Sequence, residues 1–359
     1  MANSNKVPKI LYAIQGTGNG HVARAREVIP YLQAYGEVEI LLSGDQSEVQ
    51  LPVPVNYRSK GLTFIYNRSG ALSLWRTLLK NNLWRLYREV RDFPVDRFDL
   101  IINDFEFISA WACKMRGKSC IGLGHQAAFR SGKVPRPRKR DWIGEWVLRY
   151  YAPVSEAFGF HFKPYDRNVH YPVIRREIRQ AHAEQGEHYT VYLPAFGDEE
   201  IYDRLKMISN REWQVFSRYA TQAYRKGNVQ FFPIDNQGFI RSFLSCAGVL
   251  TSAGFETPAE ALFLGKKLFV IPIRRQYEQA CNAAALAEMG IPVAGSLNDR
   301  CLSLLHDWVY NQKPQQIAYP DELGMLLEKR IFKPLGFLPL SGEKDDRPSP
   351  TEKAFVKHR

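Results

Sequence analysis

Gly16-Thr-Gly18-Asn-Gly20-His21 is the first stretch of the chain whose residue types and spacing can do chemistry. Closely spaced glycines let a backbone turn tightly and approach a ligand. An imidazole beside them, with an ordinary pKa of about 6.5, can take a proton near neutral pH. The same histidine can instead serve a structural role at the head of a helix, and the motif alone leaves both readings open. A dinucleotide-binding turn requires its third glycine at position 21, where this chain has His. That mismatch weakens the dinucleotide reading, although Asp45 is available as a ribose acid.

A second group lies far along the chain, at Ser252-Ala-Gly254-Phe-Glu-Thr257-Pro-Ala-Glu260. Thr257 reads as an N-cap, Pro258 as the first helical residue and Glu260 as the third, which makes a capping box. The same helix start offers free N–H groups to a diphosphate, and Glu260 could instead accept both hydroxyls of a ribose. Glu278 and Gln279 open a further helix, with Asn282 on the same face. A carboxylate beside amides suits sugar hydroxyls, which donate and accept; a solvated first turn explains the same residues. Asp104 and His125-Gln126 follow two other strands. They could line an acceptor, orient His21, replace it as base, or be ordinary loop polarity. Arg24, about one turn beyond Gly20, could meet a phosphate or pair with a carboxylate.

These groups need elements to hold them. Ile10–Ile14, Val38–Leu42, Leu62–Tyr66, Leu100–Asn103 and Cys120–Leu123 read as short apolar strands, with a helix from about His21 onwards. The pattern pauses over the polar stretch Phe162–Glu187 and restarts. Tyr189–Leu193, Val229–Phe232, Gly248–Thr251 and Leu268–Ile271 read as strands. Trp213–Tyr224, Phe239–Ser245, Pro258–Leu264 and Tyr277–Met289 read as helices. Strands alternating with helices imply parallel sheets in an α/β fold. The division expected is 1–165 for a first unit, 187–335 for a second and 341–359 for a polar, mobile tail.

Composition agrees with two units, since 359 residues exceed one typical domain. A mean hydropathy of −0.34 and the lack of a long apolar run exclude a membrane-spanning helix. Five widely spaced cysteines with no C-x-x-C pair argue against a zinc site or disulfide framework. The amino terminus lacks the regions of a signal peptide, so a cytoplasmic home is expected. Lys and Arg number 49 against 37 Asp and Glu, a net charge of +12. Such a balance favours acidic partners. The cations cluster among aromatics at Trp75–Arg88 and Arg130–Trp142. Such stretches can lie on anionic lipid with Trp at the interface, or be plain solvated surface. Nucleic acid is not expected, because no nucleic-acid motif accompanies the charge.

Taken together, Gly16–His21, Gly254…Thr257-Pro-Ala-Glu260, Gly265-Lys-Lys-Leu, Pro272 and Glu278-Gln279…Asn282-Ala283 resemble a GT-B glycosyltransferase. The resemblance is to the group of the lipid-linked peptidoglycan N-acetylglucosaminyltransferase and the UDP-glycosyltransferases, and it spans most of 8–292. It implies two Rossmann-like domains facing across a cleft and a hexosyltransferase-type enzyme. The second domain would hold a nucleotide sugar, UDP-linked by family precedent: Gly254 and Thr257 at the diphosphate, Glu260 at the ribose, Glu278 and Gln279 at the sugar, Ile234 beside the base. His21 falls at the family's catalytic or sugar-contacting histidine. Many relatives have His-Gly-Gly where this chain has Ser252-Ala253-Gly254, so Ser252 would supply a phosphate donor instead. Glu278 stands where Asp is more common. No Asp-x-Asp motif is present, which fits metal-independent, inverting transfer with no cofactor. The acceptor would be a hydroxyl compound; a lipid-linked one would explain the basic aromatic stretches and a peripheral place on the inner membrane face. A nucleotide-sugar epimerase and a non-catalytic nucleotide-sugar or membrane-binding module are the rival readings.

Overall fold

The computed structural model describes residues 7–16, 18–44, 51–62 and 82–340. The first sheet comprises β1 (Lys9–Gln15), β2 (Glu37–Ser43), β3 (Tyr57–Ser59), β4 (Leu100–Asp104), β5 (Ile121–Gly124), β6 (Glu156–Phe160) and β7 (Val169–His170). Its order is β3-β2-β1-β4-β5-β6-β7, and every neighbouring pair is parallel. Ile10 to Ile14 are fully buried, as an unbroken apolar run requires of a central parallel strand covered on both faces.

The second sheet comprises β8 (Tyr189–Tyr192), β9 (Trp213–Ser217), β10 (Tyr224–Lys226), β11 (Val229–Pro233), β12 (Gly248–Thr251) and β13 (Lys267–Val270). Its order is β10-β11-β9-β8-β12-β13, parallel except at β10. The helix expected over Trp213–Tyr224 is therefore strand β9, a turn and strand β10. Trp213, Val215, Phe216 and Ser217 are all buried and Gln214 is half-buried, so a strand covered on both faces shows no alternation to mark it. A strand the sequence reading did not single out, Tyr57–Ser59, pairs with β2; of the run Leu62–Tyr66 only Leu62 is described, outside any strand, and the rest lies outside the described residues. Asp45, the part of the basic aromatic stretch from Trp75 to Asn81, and the tail from Ser341 lie outside the described residues.

In each sheet the chain starts in the middle and winds both ways, so β1/β4 and β8/β12 are switch points. A ligand crevice forms outside the carboxyl ends of strands at such a point. β1 delivers the glycine turn and β4 delivers Asp104; β12 delivers Ser252-Ala-Gly254. The two units also share apolar packing. Phe162 and Ile174 belong to the same buried cluster as Val22, Phe255 and Leu286. The segment Leu323–Phe332 returns to the first unit, where Phe332 stacks on Tyr35 at 3.7 Å. All five cysteines are buried, and none forms a disulfide.

Candidate functional site

The helix Asn19–Gln33 starts directly after the glycine turn, with Gly18 extended at its N-cap position. None of Gly16, Gly18 and Gly20 has positive φ, so their use is space rather than backbone twist. A Cβ on Gly16 would meet Leu42 at 2.9 Å, and one on Gly20 would meet Glu256 of the second unit at 3.2 Å. Gly18 has nothing within 4 Å of that position and faces a cavity.

His21 is the third residue of this helix. Its Nδ1 lies 2.9 Å from Asp104 Oδ1, which β4 holds fully buried. Arg24, one turn on, donates to Asp104 through Nε at 3.1 Å and through Nη2 at 2.8 Å to each carboxylate oxygen. Burial acts to raise the Asp104 carboxyl, but Arg24 and His21 together outweigh it and hold it below the usual carboxylate range. A proton on Nδ1 is the tautomer that satisfies this carboxylate, which leaves the Nε2 lone pair on the side of Gln126, 3.4 Å away.

The surroundings over-determine Asp104. A Cβ on Gly124 would sit 2.2 Å from its Oδ1, so only glycine admits the carboxylate at that point. The Asn103 side chain donates to Glu106 O and accepts from the Glu106 N–H, and the Glu106 carboxylate caps the helix Phe107–Met115 by accepting from Ile108 and Ser109. Phe105, between them, has φ +57. That left-handed geometry is costly for a bulky residue and turns the chain sharply after Asp104. The other non-glycine with positive φ among the described residues, Arg275, also lines the cavity.

The cavity, of about 370 Å³, lies between the two sheets. The first unit contributes Gly18, His21, Arg24, His125, Gln126 and the inward face of the helix Trp142–Tyr150; the second contributes Gly254, Glu256, Tyr277, Glu278 and Gln279. Three side-chain hydrogen bonds span it between described residues. Arg24 Nη1 donates to Glu256 Oε1. Gln126 Nε2 donates to Glu278 Oε2 at 3.0 Å. Tyr277 Oη donates to Glu145 at 2.7 Å, where the absence of a side chain on Gly144 lets the Tyr277 ring pack.

Of the residues singled out in the sequence, His21, Arg24, His125, Gln126, Gly18, Gly20, Gly254, Glu278 and Gln279 line this cavity. Asp104 stands directly behind His21 and Arg24. Gly16 is in the turn but packs on Leu42. Ser252, Thr257, Glu260, Asn282 and Ile234 are not among the lining residues. The capping box does not form. The helix runs from Glu256 to Phe263, so Thr257 is its second residue, and no side chain caps it. Pro258 is tolerated in the first turn because the first four N–H groups lack intrahelical partners anyway. Glu260 is 2% exposed and bound bidentately by Arg175, with both bonds at 2.7 Å. A buried carboxylate takes a guanidinium fork in preference to a local backbone N–H, because the pairing is charge-assisted and in plane. Asn282 is fully buried, as Gln279 on the turn before it is nearly so. It donates to Ala253 O at 3.1 Å, and its Oδ1 lies 2.9 Å from His125 Nε2. His125 stacks on Phe255 at 3.9 Å, so this trio locks the two units together. Gln279 Oε1 accepts from the Ile273 N–H at 2.8 Å. Asp235, beside Ile234, caps the helix Asn236–Ser245.

Sequence reading gave no role to Glu256. Burial, opposed by Arg24 and reinforced by Glu260 and Asp104, pushes its carboxyl from 4.5 up to about 7. A folded value above the unfolded one means the folded state binds the extra proton between those limits. Stability from this group is therefore present below about pH 4.5 and lost as pH rises through about 7. Urea titrations of wild type and Glu256→Gln should show the wild type losing stability relative to the variant across that window. Parallel pH profiles would count against the shift.

The helix Trp142–Tyr150 presents an unusual outer face. Trp142 is 78% exposed, Trp146 56% and Tyr150 46%, next to the exposed Arg138, Lys139 and Arg140. Among the described residues no group of three or more His, Cys, Asp or Glu is placed to hold a metal ion, and no helix is long and apolar enough to cross a membrane.

The chain matches the family model described as glycosyl transferase family 1 over residues 8–312. Among solved structures it is similar to the glycotransferase of kitacinnamycin, at 13% identity over 86% of this chain and 92% of that one, with a TM-score of 0.56. Arabidopsis thaliana UGT89C1, solved with UDP-L-rhamnose, matches at 15% identity over 86% and 90%, with a TM-score of 0.53. Acinetobacter baumannii MurG matches at 12% identity over 89% and 98%, also with a TM-score of 0.53. At such identities the likeness is one of fold. No curated protein matches the chain in sequence.

Proposed function

Since the chain belongs to glycosyl transferase family 1 and has the GT-B fold, we propose that it moves a hexosyl group from a UDP-linked donor to the hydroxyl of a lipid-linked acceptor, with inversion and without a metal. The observation that carries this reading is the His21–Asp104 pair at the cavity wall. With Nδ1–H donating to Asp104, Nε2 takes the acceptor hydroxyl proton as that oxygen bonds to the anomeric carbon. The carbon–oxygen bond to the diphosphate breaks, and its electron pair leaves with the nucleoside diphosphate. Attack opposite the leaving group inverts the centre. Asp104 stabilises the imidazolium that results.

The donor lies on the second unit's side of the cavity. Gly254 admits the diphosphate to the first turn of the helix Glu256–Phe263, where free N–H groups stabilise the leaving charge; Ser252 precedes that turn and Thr257 lies within it. Glu278 and Gln279 meet the sugar, and Ile234 borders the base. Glu260 reaches the ribose only by giving up a bond to Arg175. A thermal-shift panel of nucleotide sugars, followed by an assay of acceptor-dependent nucleotide release, tests this. A saturating donor at about 100 times its Kd should stabilise the protein by about 2.7 kcal/mol. An epimerised sugar formed from donor alone would replace transfer by epimerisation; a shift without any turnover would leave a binding module.

The outer face of the helix Trp142–Tyr150 supports the lipid-linked acceptor and a peripheral place on the cytoplasmic face of the membrane. Its inner face walls the cavity, and its outer face offers aromatics beside cations, the composition that suits an anionic interface. Vesicles containing phosphatidylglycerol should pellet the wild type but not Trp142→Ser/Trp146→Ser. Equal recovery of both in the supernatant would remove the membrane from the reading.

A further inference from the structure

Arg24 has two anionic partners of different standing. Asp104 is fully buried, belongs to the same unit and takes Nε and Nη2. Glu256 comes from the other unit, takes Nη1 alone, and keeps 19% of its side chain exposed at the cavity. Its side chain lies over Gly20, the last glycine of the turn. Glu256 is also the first residue of the helix that follows Gly254. A carboxylate thus occupies the point where the glycine turn, the guanidinium and that helix start converge.

We propose that Glu256 holds the place of the donor diphosphate in the free protein, and that the diphosphate displaces it to become the second partner of Arg24. This rests on the nucleotide-sugar reading above. Two anions cannot share Nη1 at short range in a poorly solvated cavity, because like charges there repel by several kcal/mol even at an effective dielectric of about 20. Glu256 can swing away, since among the described residues its side chain bonds across the cavity to Arg24 alone. Asp104 cannot, since Gly124 and three guanidinium bonds enclose it. Arg24 therefore keeps the base pair in place while its outer nitrogen changes partner. Donor binding breaks the Arg24–Glu256 link between the units and rebuilds it through the ligand. A nucleoside without phosphates leaves Glu256 on Arg24 and does not meet the cost of displacing it.

Calorimetric titration at pH 8 with UDP, inorganic pyrophosphate and uridine tests the exchange on wild type, Glu256→Gln and Arg24→Lys. Glu256→Gln should bind UDP and pyrophosphate about tenfold more tightly than wild type, as expected for loss of one nearby like charge, with uridine unchanged. Arg24→Lys, which keeps the charge but loses the fork, should weaken both phosphate ligands about tenfold and leave uridine unchanged. UDP binding that is unaltered or weaker in Glu256→Gln overturns the exchange and leaves the donor reading standing. An equal gain for uridine also overturns it, since the effect would then be general opening of the cleft. Pyrophosphate tightening without any UDP binding supports the exchange and removes only the uracil assignment. No pyrophosphate binding by any of the three proteins overturns it.

Discussion

Replacing His21 with Ala is expected to cut turnover by about 10²–10⁴-fold, the range set by loss of a positioned general base. Nucleotide binding should survive. Asp104 keeps its bonds to Arg24 in that variant, and the helix beginning at Asn19 does not depend on the imidazole for capping. Asp104→Asn should lose activity as well, because an amide no longer favours the tautomer that leaves Nε2 free. The double variant should be little worse than the worse single one, since the two residues act as a unit. The check is kcat with the best donor, alongside the Kd for its nucleotide. Unchanged turnover in His21→Ala would sink the base assignment.

Arg24→Met should destabilise the protein by about 3–5 kcal/mol, the cost of leaving one member of a buried ion pair without its partner. The stranded group is Asp104, which is 0% exposed. Methionine keeps much of the stem volume, so the loss reports charge rather than packing. The sign with pH follows from the depressed Asp104 carboxyl. Its stabilisation is present above the ordinary carboxylate value of about 3.9 and is lost as pH falls through the lower folded value. Urea midpoints of wild type and variant should therefore differ most near neutrality and converge on acidification. A constant gap across the acid range would mean that Arg24 matters for shape alone.

Much of the scaffold was legible before any tertiary structure. An apolar run ending in glycines announced β1 and its turn, and Gly248–Thr251 was found with the bounds the fold gives it. Those signals are local: an apolar run reports burial on both faces, and glycines report close approach. Trp213–Ser217 failed because a strand buried on both faces carries no alternation, and a short run of large side chains then reads as readily as a helix. Thr257-Pro-Ala-Glu260 failed for another reason. A capping box is a local optimum, and it lost to a distant arginine that offered a buried carboxylate two charge-assisted bonds.

By itself the sequence determined two α/β units, a histidine at the mouth of the first, and a second unit whose glycine turn and Glu278-Gln279 face the same crevice. Only the tertiary structure decided which charges meet. His21 finds Asp104 across 83 residues, Glu260 finds Arg175 across 85, and Arg24 finds Glu256 across 232. Periodicity fixes which way a side chain points from its own helix or strand. The partner of a buried charge is fixed by whichever opposite charge shares its poorly solvated space, and that space exists only once both sheets have closed on it.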